Sequence, residues 1–168
     1  MATDDYEDVT KYTLDPEALE RLFQEQNECT LMWSTKDGAP VGCIMSYVWK
    51  DGKVWATATK QRARIPALRR DPRSCVVVTS AGTSMGPKCV TMRGRVRILE
   101  DEETKKWFYP ALAKRLIPDN EAQQRGFVKM LSSPHRVVLE FIPEKFITFD
   151  GDKMAADSGG GLGMSHMD

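Results

Sequence analysis

The chain has 168 residues, and its 24 lysines and arginines are balanced by 24 aspartates and glutamates. At this length a single domain with a sizeable hydrophobic core is the simplest organisation. Because the net charge is zero, no global attraction to nucleic acid or to anionic lipid is expected, and any anion site must be local.

The four cysteines are scattered along the chain and include no CxxC pair. Three of them lie in apolar, strand-like runs, which favours buried free thiols over disulfides or a zinc site. The sequence has neither a long apolar run nor a basic-then-apolar leader, so we expect no membrane insertion and no export. These features favour a cytoplasmic, reducing compartment.

The N-terminal part predicts a loose arm followed by a helix. Residues 1–14 are rich in aspartate and glutamate and form the arm. Asp15 can cap the free N–H groups of a helix, and Pro16 is tolerated at its first position. Leu22 and Phe23 belong to one apolar stripe of this helix.

Strand signals dominate the middle of the chain. The Asp-Gly pairs at 37–38 and 51–52 predict hairpin turns. Between them lies the segment 40–49, PVGCIMSYVW, whose apolar residues on both faces predict burial on both sides. The glycine-rich segment 81–88 predicts a connection between two strands rather than a phosphate-binding loop, because the GxxxxGK[ST] spacing is absent.

The clearest strand signal is CVTMRGRVRILE, residues 89–100. Apolar residues alternate with polar ones, so one face is apolar and the other carries Arg93, Arg95 and Arg97. Gly94 falls on the apolar face, where we expect the close approach of another backbone or of a ligand.

A helical insertion and a closing strand complete the domain. Asp101 caps the insertion, which covers residues 101–133 and breaks near Pro118. Residues 136–150 predict the last strand or strand pair, and residues 151–168 predict a flexible, glycine-rich tail.

Short strands joined by tight turns predict a mainly β fold, a small closed or half-closed β-barrel with flanking helices over residues 15–150. The long apolar segment 40–49 also suits a subunit interface, so we expect a homodimer. With only two histidines, the chain predicts no metal site and no Ser-His-Asp set.

The basic stretch 57–73, TATKQRARIPALRRDPR, suggests a phosphate site. Thr57 and Thr59 point to one face of a strand end, and Arg62 and Arg64 follow at the start of a short helix. Guanidinium groups, hydroxyls and free helical N–H groups together suit a phosphate. The residues alone leave a ligand role and a solvated helix face open for this arginine pair. The later arginines, Arg69, Arg70 and Arg73, are interpreted as a solvated, salt-bridged helix end.

Three segments resemble the split β-barrel flavin and deazaflavin oxidoreductases, the superfamily of pyridoxamine 5′-phosphate oxidase. They are WSTKDGAPVGCIMSYVWKDGKVW at 33–55, TATKQRARIPALRRDPRSCVVV at 57–78 and CVTMRGRVRILEDEE at 89–103. The resemblance covers residues 15–150 and is nearer to the actinobacterial branch that uses coenzyme F420 or FMN.

The resemblance implies where such a cofactor would bind. Its phosphate would lie at Thr57, Thr59, Arg62 and Arg64, and its ring would lie along the strand containing Ile44 to Ser46, at a dimer interface. Met45, Ser46 and Lys88 are further implied contacts. The sequence departs from the family where Arg64 replaces a frequent lysine and where Ile65-Pro66 replaces polar residues.

The implied activity is hydride transfer between bound F420 or FMN and a small organic substrate such as an enone or a quinone. The cofactor ring carries this chemistry, so no protein nucleophile is required and no catalytic residue is assigned. The alternative is a carrier or sensor that binds a cofactor or a haem-like ligand without turnover. Nucleic-acid binding is disfavoured, because no aromatic residues are interleaved with the basic segments.

Overall fold

Seven strands form one antiparallel sheet in the computed structural model, which describes residues 8–158. The strands are β1 (Glu28–Ser34), β2 (Pro40–Ser46), β3 (Val48–Lys50), β4 (Lys53–Thr59), β5 (Arg73–Thr79), β6 (Lys88–Leu99) and β7 (Arg136–Asp150). The helices are α1 (Pro16–Glu25), α2 (Arg64–Arg70), α3 (Glu102–Leu116), α4 (Glu121–Leu131) and α5 (Gly151–Asp157), and a 3-10 turn spans Val9–Lys11. The strand order is β2-β1-β5-β6-β7-β4-β3.

The sheet curls into a half-barrel around one hydrophobic core. Buried side chains from β1, β2, β4, β5, β6 and β7 all belong to the same core cluster, so the inner faces of these strands enclose one volume. A β-bulge between Arg93 and Gly94 interrupts the pairing of β6 with β7. A Cβ atom at Gly94 would lie 2.1 Å from the Ile142 carbonyl oxygen, so the predicted close backbone approach is confirmed.

The helical hairpin of α3 and α4 packs on the outer face of the sheet. A second core cluster joins these helices to Val48, Trp55 and Val138. The rings of Trp55 and Trp107 meet edge to face, with centroids 4.9 Å apart. The predicted insertion therefore covers the face of β4 that carries Thr57, since alternate residues of a strand share a face.

Helix α1 covers one end of the half-barrel, as its sequence pattern predicts. The Asp15 carboxylate accepts a hydrogen bond from the Ala18 N–H group (2.8 Å), which confirms the N-cap. Leu22 and Phe23 are completely buried. The Arg115 guanidinium donates to the Phe23 carbonyl oxygen (2.6 Å) and so ties α3 to the end of α1.

The prediction of two-sided burial for residues 40–49 is wrong. The segment divides at Tyr47, whose buried hydroxyl donates to the Phe23 carbonyl oxygen (3.1 Å), into β2 and β3. Strand β2 is an edge of the sheet, and Ile44 on it is 69% exposed. Within residues 8–158 no element covers its second face.

Both ends of the described chain are more ordered than predicted. Tyr12 and Leu14 are buried, and the Asp150 N–H group donates to the Tyr12 carbonyl oxygen (2.8 Å), so residues 8–14 are attached to the domain. Residues 151–157 form α5 rather than a flexible tail, because the Asp150 carboxylate caps their N–H groups. The rest of the predicted arm, 1–7, and of the predicted tail, 159–168, lies outside the described residues.

Candidate functional site

A cavity of about 240 Å³ lies where the end of β2, the end of β4 and the start of β7 meet the α3–α4 hairpin. Polar or strand residues form one wall: Ile44, Met45, Ser46, Thr57, Arg64 and Arg136. The opposite wall is apolar and comes from α3 and α4, including Leu112, Phe127 and Leu131. We call this the arginine cavity. Four of the residues predicted to contact a cofactor, Met45, Ser46, Thr57 and Arg64, therefore lie together.

Arg64 is the best-defined polar group of the arginine cavity. It is the first residue of α2 and is half-buried. Its Nη1 atom donates to the Cys43 sulfur (3.2 Å), whereas its buried Nε atom has no acceptor in the described part of the chain. No carboxylate forms an ion pair with it within residues 8–158. A partly buried cation without a carboxylate partner destabilises the folded protein unless another anion compensates its charge. Arg64 therefore has the capacity to bind an anion.

Arg136 is a second cation of the arginine cavity, and sequence reasoning missed it. It pairs with Thr59 across the β4–β7 ladder, and directly opposed residues share a face of the sheet. It too has no ion pair with a carboxylate in the described range. Its basic charge at a strand start was visible in the sequence, but its position beside Thr59 depends on the register between two strands about 80 residues apart in the chain.

The two threonines share one face, as predicted, but they are not equivalent. Thr57 lines the arginine cavity, and its hydroxyl donates to the Val137 carbonyl oxygen (2.8 Å). The Thr57 hydroxyl proton is therefore used in this hydrogen bond, and the hydroxyl oxygen can only accept hydrogen bonds from other groups. Thr59 is half-buried one step further along β4 and does not line the cavity.

Arg62 is exposed in the turn before α2 and does not line the arginine cavity. Its guanidinium has no carboxylate partner among residues 8–158. The Ile65 N–H group donates to the Arg62 carbonyl oxygen (2.8 Å), so the start of α2 offers fewer free N–H groups than the sequence predicted.

Lys88 does not line the arginine cavity, so the structure does not bring it together with the other residues implied as cofactor contacts. Its ammonium forms ion pairs with Asp150 (2.9 Å) and Asp152 (2.6 Å), and it is almost completely buried between them. Burial acts to lower the pKa of Lys88, but the two carboxylates outweigh burial and raise it. The residue joins the start of β6 to the end of β7 and to α5.

The arginines at the end of α2 are structural, as predicted. Arg69 pairs with Glu100 (2.6 Å), and Arg70 donates to the Ser34 carbonyl oxygen (2.7 Å). Arg73 pairs with Asp71 (2.7 Å), and this hydrogen-bonded arginine lowers the pKa of Asp71 to about 2.

The arginine row of β6 is also largely neutralised. Arg97 binds the buried carboxylate of Glu140, and Arg95 pairs with Glu144 (3.0 Å). Only Arg93 of the row remains without an ion pair in the described part of the chain. The row therefore offers less positive charge to a nucleic acid than its spacing in the sequence suggests.

An exposed apolar surface adjoins the arginine cavity. Ile44 from β2 and Met130 from α4 line the cavity and are 69% and 56% exposed. Exposed apolar groups at a sheet edge are typical of an interaction surface.

The electrostatics of the neighbouring Tyr109 differ from those of a surface phenol. Its hydroxyl is buried and lies close to the Thr57 hydroxyl, but makes no hydrogen bond of regular geometry among the described residues. Burial raises the pKa of Tyr109, while Thr57, Lys105 and Arg136 act to lower it. The hydroxyl is therefore protonated at neutral pH. Its neighbours Thr57 and Arg136 place this phenol beside the arginine cavity.

Two features are absent from residues 8–158: a helix that could cross a membrane, and a cluster of acidic, histidine or cysteine side chains that could hold a metal ion. No helix in this range has the length and hydropathy needed to cross a bilayer. No group of three or more histidine, cysteine, aspartate or glutamate side chains is arranged there to hold a metal ion.

The curled antiparallel sheet with its flanking helices is a split β-barrel, which confirms the predicted fold class. Residues 15–150 match the pyridoxamine 5′-phosphate oxidase family, and the chain belongs to this family. A comparison with curated protein sequences gave no match.

Solved structures share the fold at low identity. A conserved hypothetical protein from Mycobacterium tuberculosis is 20% identical with a TM-score of 0.76, over 94% of this chain and 92% of that one. An F420 reductase is 22% identical with a TM-score of 0.60, over 79% of this chain and 98% of that one. An FAD and haem binding protein from Mycobacterium smegmatis is 18% identical with a TM-score of 0.63, over 87% and 79%.

Proposed function

We propose that this protein binds FMN or F420 in the arginine cavity and acts as an oxidoreductase on a small organic substrate such as an enone or a quinone. The observation that carries the proposal is Arg64, a half-buried cation with an unpaired Nε atom and no carboxylate partner in the described chain. Family membership and fold similarity to an F420 reductase support the same cofactor class.

The residues of the cavity fit the two chemical parts of such a cofactor. Arg64 and Arg136 would hold its phosphate, with Arg62 as an exposed third cation, because guanidinium groups bind phosphate through charge-assisted hydrogen bonds. The strand residues Met45 and Ser46 would contact the ring, together with the apolar wall from α3 and α4. A half-buried cation beside an apolar surface is the combination that suits a phosphate-bearing aromatic cofactor.

The cofactor supplies the hydride chemistry when it is bound. The chain itself binds and orients it: Arg64 fixes the anionic end, and the apolar residues of α3 and α4 exclude water from the ring. Thr57, whose proton is committed to Val137, orients by accepting a hydrogen bond rather than by donating one.

We further propose that a second copy of the chain covers the β2 edge and completes the site. Support comes from Ile44, which lines the arginine cavity and is nevertheless 69% exposed. A ring lying along β2 would stay open to water in a monomer, whereas a partner placed on this edge would enclose it. Sedimentation of the purified protein at several concentrations measures this, and a monomer with full cofactor affinity would contradict the dimer.

The second candidate is a carrier or sensor that binds a flavin, a deazaflavin or a haem-like ligand without turnover. One observation favours it: the described residues lining the arginine cavity include no aspartate, glutamate, histidine or lysine that could transfer a proton. Steady-state oxidation of the reduced cofactor by quinones, enones and biliverdin separates the two. Turnover supports the enzyme, and tight binding without turnover supports the carrier.

The deciding experiment is a fluorescence titration of the purified protein with FMN and with F420, after its absorbance spectrum has been recorded. We expect saturable binding of at least one cofactor, and a loss of affinity in Arg64→Ala. The matched control is Arg69→Ala, which removes an arginine from the same helix but outside the cavity. Equal loss in both variants, or no binding of either cofactor by the wild type, would overturn the proposal.

A further inference from the structure

A second cavity of about 560 Å³ lies between α3 and the segment that joins α4 to β7. Its volume falls in the range of roughly 300–1,000 Å³ that is typical of sites for small organic ligands. One wall is a helical face of α3 that includes Glu102, Lys105, Lys106 and Tyr109, at spacings of three and four residues. The other wall is formed by Val128 and residues 132–134. We call this the lysine cavity.

The lysine cavity carries one positive charge in excess. Lys105 is mostly buried and forms an ion pair with Glu102 (2.8 Å), which neutralises both groups. Lys106 is exposed at the rim and has no ion pair with any carboxylate among residues 8–158. Its ammonium is therefore the charge that an anionic ligand would meet.

The opposite wall supplies a further hydrogen-bond donor. The Ser133 hydroxyl oxygen accepts a hydrogen bond from the His135 N–H group (3.2 Å), and its own proton has no acceptor in the described chain. The neighbouring Ser132 hydroxyl donates to the Val128 carbonyl oxygen (2.8 Å) and is thus committed. Lys106 and Ser133 therefore offer donors from two sides, which suits a ligand that only accepts hydrogen bonds.

The other residues of the cavity wall determine which net charge and which nonpolar group a ligand should have. Val128, Pro134 and the ring of Tyr109 are apolar and suit a hydrocarbon or aromatic group. Because the lining carries one positive charge in excess, it compensates a single negative charge, so a monoanion is favoured over a phosphate dianion. A cavity lined by a guanidinium group or by a helix N-terminus would instead favour a phosphate.

We propose that the lysine cavity binds a monoanionic organic carboxylate, held by Lys106 and Ser133, with its apolar body against Val128 and Pro134. Tyr109 belongs to the wall of this cavity, while its neighbours Thr57 and Arg136 line the arginine cavity. Binding of the carboxylate in this cavity does not depend on the proposed function.

The test is a titration of the cofactor-free full-length protein with sodium benzoate, followed by amide chemical shifts in NMR spectra. We expect benzoate to bind about tenfold more tightly than benzamide, because only benzoate gains a charge-assisted hydrogen bond from Lys106. The shifts should concentrate in α3 and in residues 132–134. Equal affinities of benzoate and benzamide would overturn the proposal.

Matched variants locate the site. Lys106→Gln should weaken benzoate binding about tenfold, and Ser133→Ala should weaken it by a smaller factor. The control is Lys114→Gln, an exposed lysine of the same helix that does not line the cavity, and it should leave the affinity unchanged. Because Lys106 is exposed, its replacement should not alter thermal unfolding. Unchanged benzoate affinity in Lys106→Gln would overturn the assignment.

A crossed comparison separates this inference from the proposed function. Arg64→Ala should lose cofactor affinity and keep benzoate binding, and Lys106→Gln should do the reverse. If Arg64→Ala instead abolishes benzoate binding, the carboxylate occupies the arginine cavity and the second site is refuted. If neither the wild type nor the variants bind a cofactor but benzoate still binds at α3, the proposed function is refuted and the carboxylate site is not.

Discussion

The two ends of the seven-residue helix α2 carry arginines in opposite electrostatic situations. At its start, Arg64 is half-buried and has no carboxylate partner in the described chain. At its end, Arg69 is exposed and paired with Glu100, and Arg73 beyond it is paired with Asp71. The difference teaches that the proposed anion-binding cation is distinguished here by the acid it lacks rather than by its charge.

The energetic consequences of the two ends should also differ. Exposed ion pairs contribute little to stability, commonly about 0–1 kcal/mol, because water screens them and their side chains lose entropy. A partly buried and unpaired guanidinium destabilises the folded state until an anion binds it. Removal of Arg64 should therefore reduce ligand affinity without reducing the free energy of unfolding, and the paired arginines should show neither effect strongly.

The largest expected effect is on cofactor affinity in the double variant Arg62→Ala/Arg64→Ala. Two charge-assisted hydrogen bonds, each worth roughly 1.5 kcal/mol, would be lost, so the dissociation constant should rise about a hundredfold. Fluorescence titration with FMN and F420 measures it. The control Arg69→Ala/Arg73→Ala should change the affinity less than about twofold. Similar losses in the two double variants would remove the distinction between the ends of α2.

The next effect is on stability and concerns a paired acid. Glu140 is buried and binds both Lys53 (2.7 Å) and Arg97; burial acts to raise its pKa, but the two cations outweigh burial and lower it. We expect Glu140→Gln to reduce the free energy of unfolding in urea by about 2 kcal/mol, because two cations lose their counter-charge. Glu144→Gln, which affects only the exposed pair with Arg95, should cost less than about 0.5 kcal/mol.

An unchanged cofactor affinity in Glu140→Gln would support the distinction between paired and unpaired cations. Glu140 and its partners do not line the arginine cavity. A large loss of affinity in folded Glu140→Gln would mean that paired cations also serve the ligand, contrary to the distinction drawn from α2.

A smaller effect is expected for Arg136→Gln, which tests whether the unpaired cations act together although they come from different elements. One charge-assisted contact would be lost, so the cofactor dissociation constant should rise about tenfold. Thermal unfolding should be unaffected, because the guanidinium has no ion pair to lose within residues 8–158. An affinity equal to that of the wild type would restrict the phosphate site to α2.

The smallest effect is the pH dependence of the exposed pair at the end of α2. The hydrogen bonds and charge of Arg73 lower the pKa of Asp71 from 3.8 to about 2 in the folded protein. The contribution of Asp71 to stability is therefore complete above pH 3.8 and is lost as the pH falls to about 2. Urea unfolding in this pH range should show a shallower slope for Arg73→Ala than for the wild type. Arg64→Ala should keep the wild-type slope, and a parallel flattening in both variants would contradict the assignment to Asp71.

Much of the fold could be predicted because its signals are local. Asp15 and Asp101 cap helices where the sequence placed caps, and the Asp-Gly pair at 51–52 forms the turn between β3 and β4. The alternation in residues 89–100 predicted both β6 and the close approach at Gly94. Each of these signals acts within a few residues of the chain, so no tertiary information was needed.

The candidate site was predictable only in part. Thr57 and Arg64, which the sequence placed near each other, line one cavity, because strand alternation and the following basic turn are local features. Arg136 was not singled out, and Lys88 lies apart from this cavity, because their surroundings depend on strands that pair across long separations. The role of the α3–α4 insertion was likewise invisible, since its packing on the outer face of the sheet is a tertiary contact.

By itself, the sequence determined the order of elements, the barrel class and the basic segment near which the proposed anion site lies, since hydrophobic periodicity and capping residues act locally. Only the tertiary structure decided which arginines remain without an acid. Glu100 neutralises Arg69 across 31 positions, and Glu140 neutralises Arg97 across 43. Ion pairs form between groups that folding brings within a few ångströms, and no local pattern records that distance.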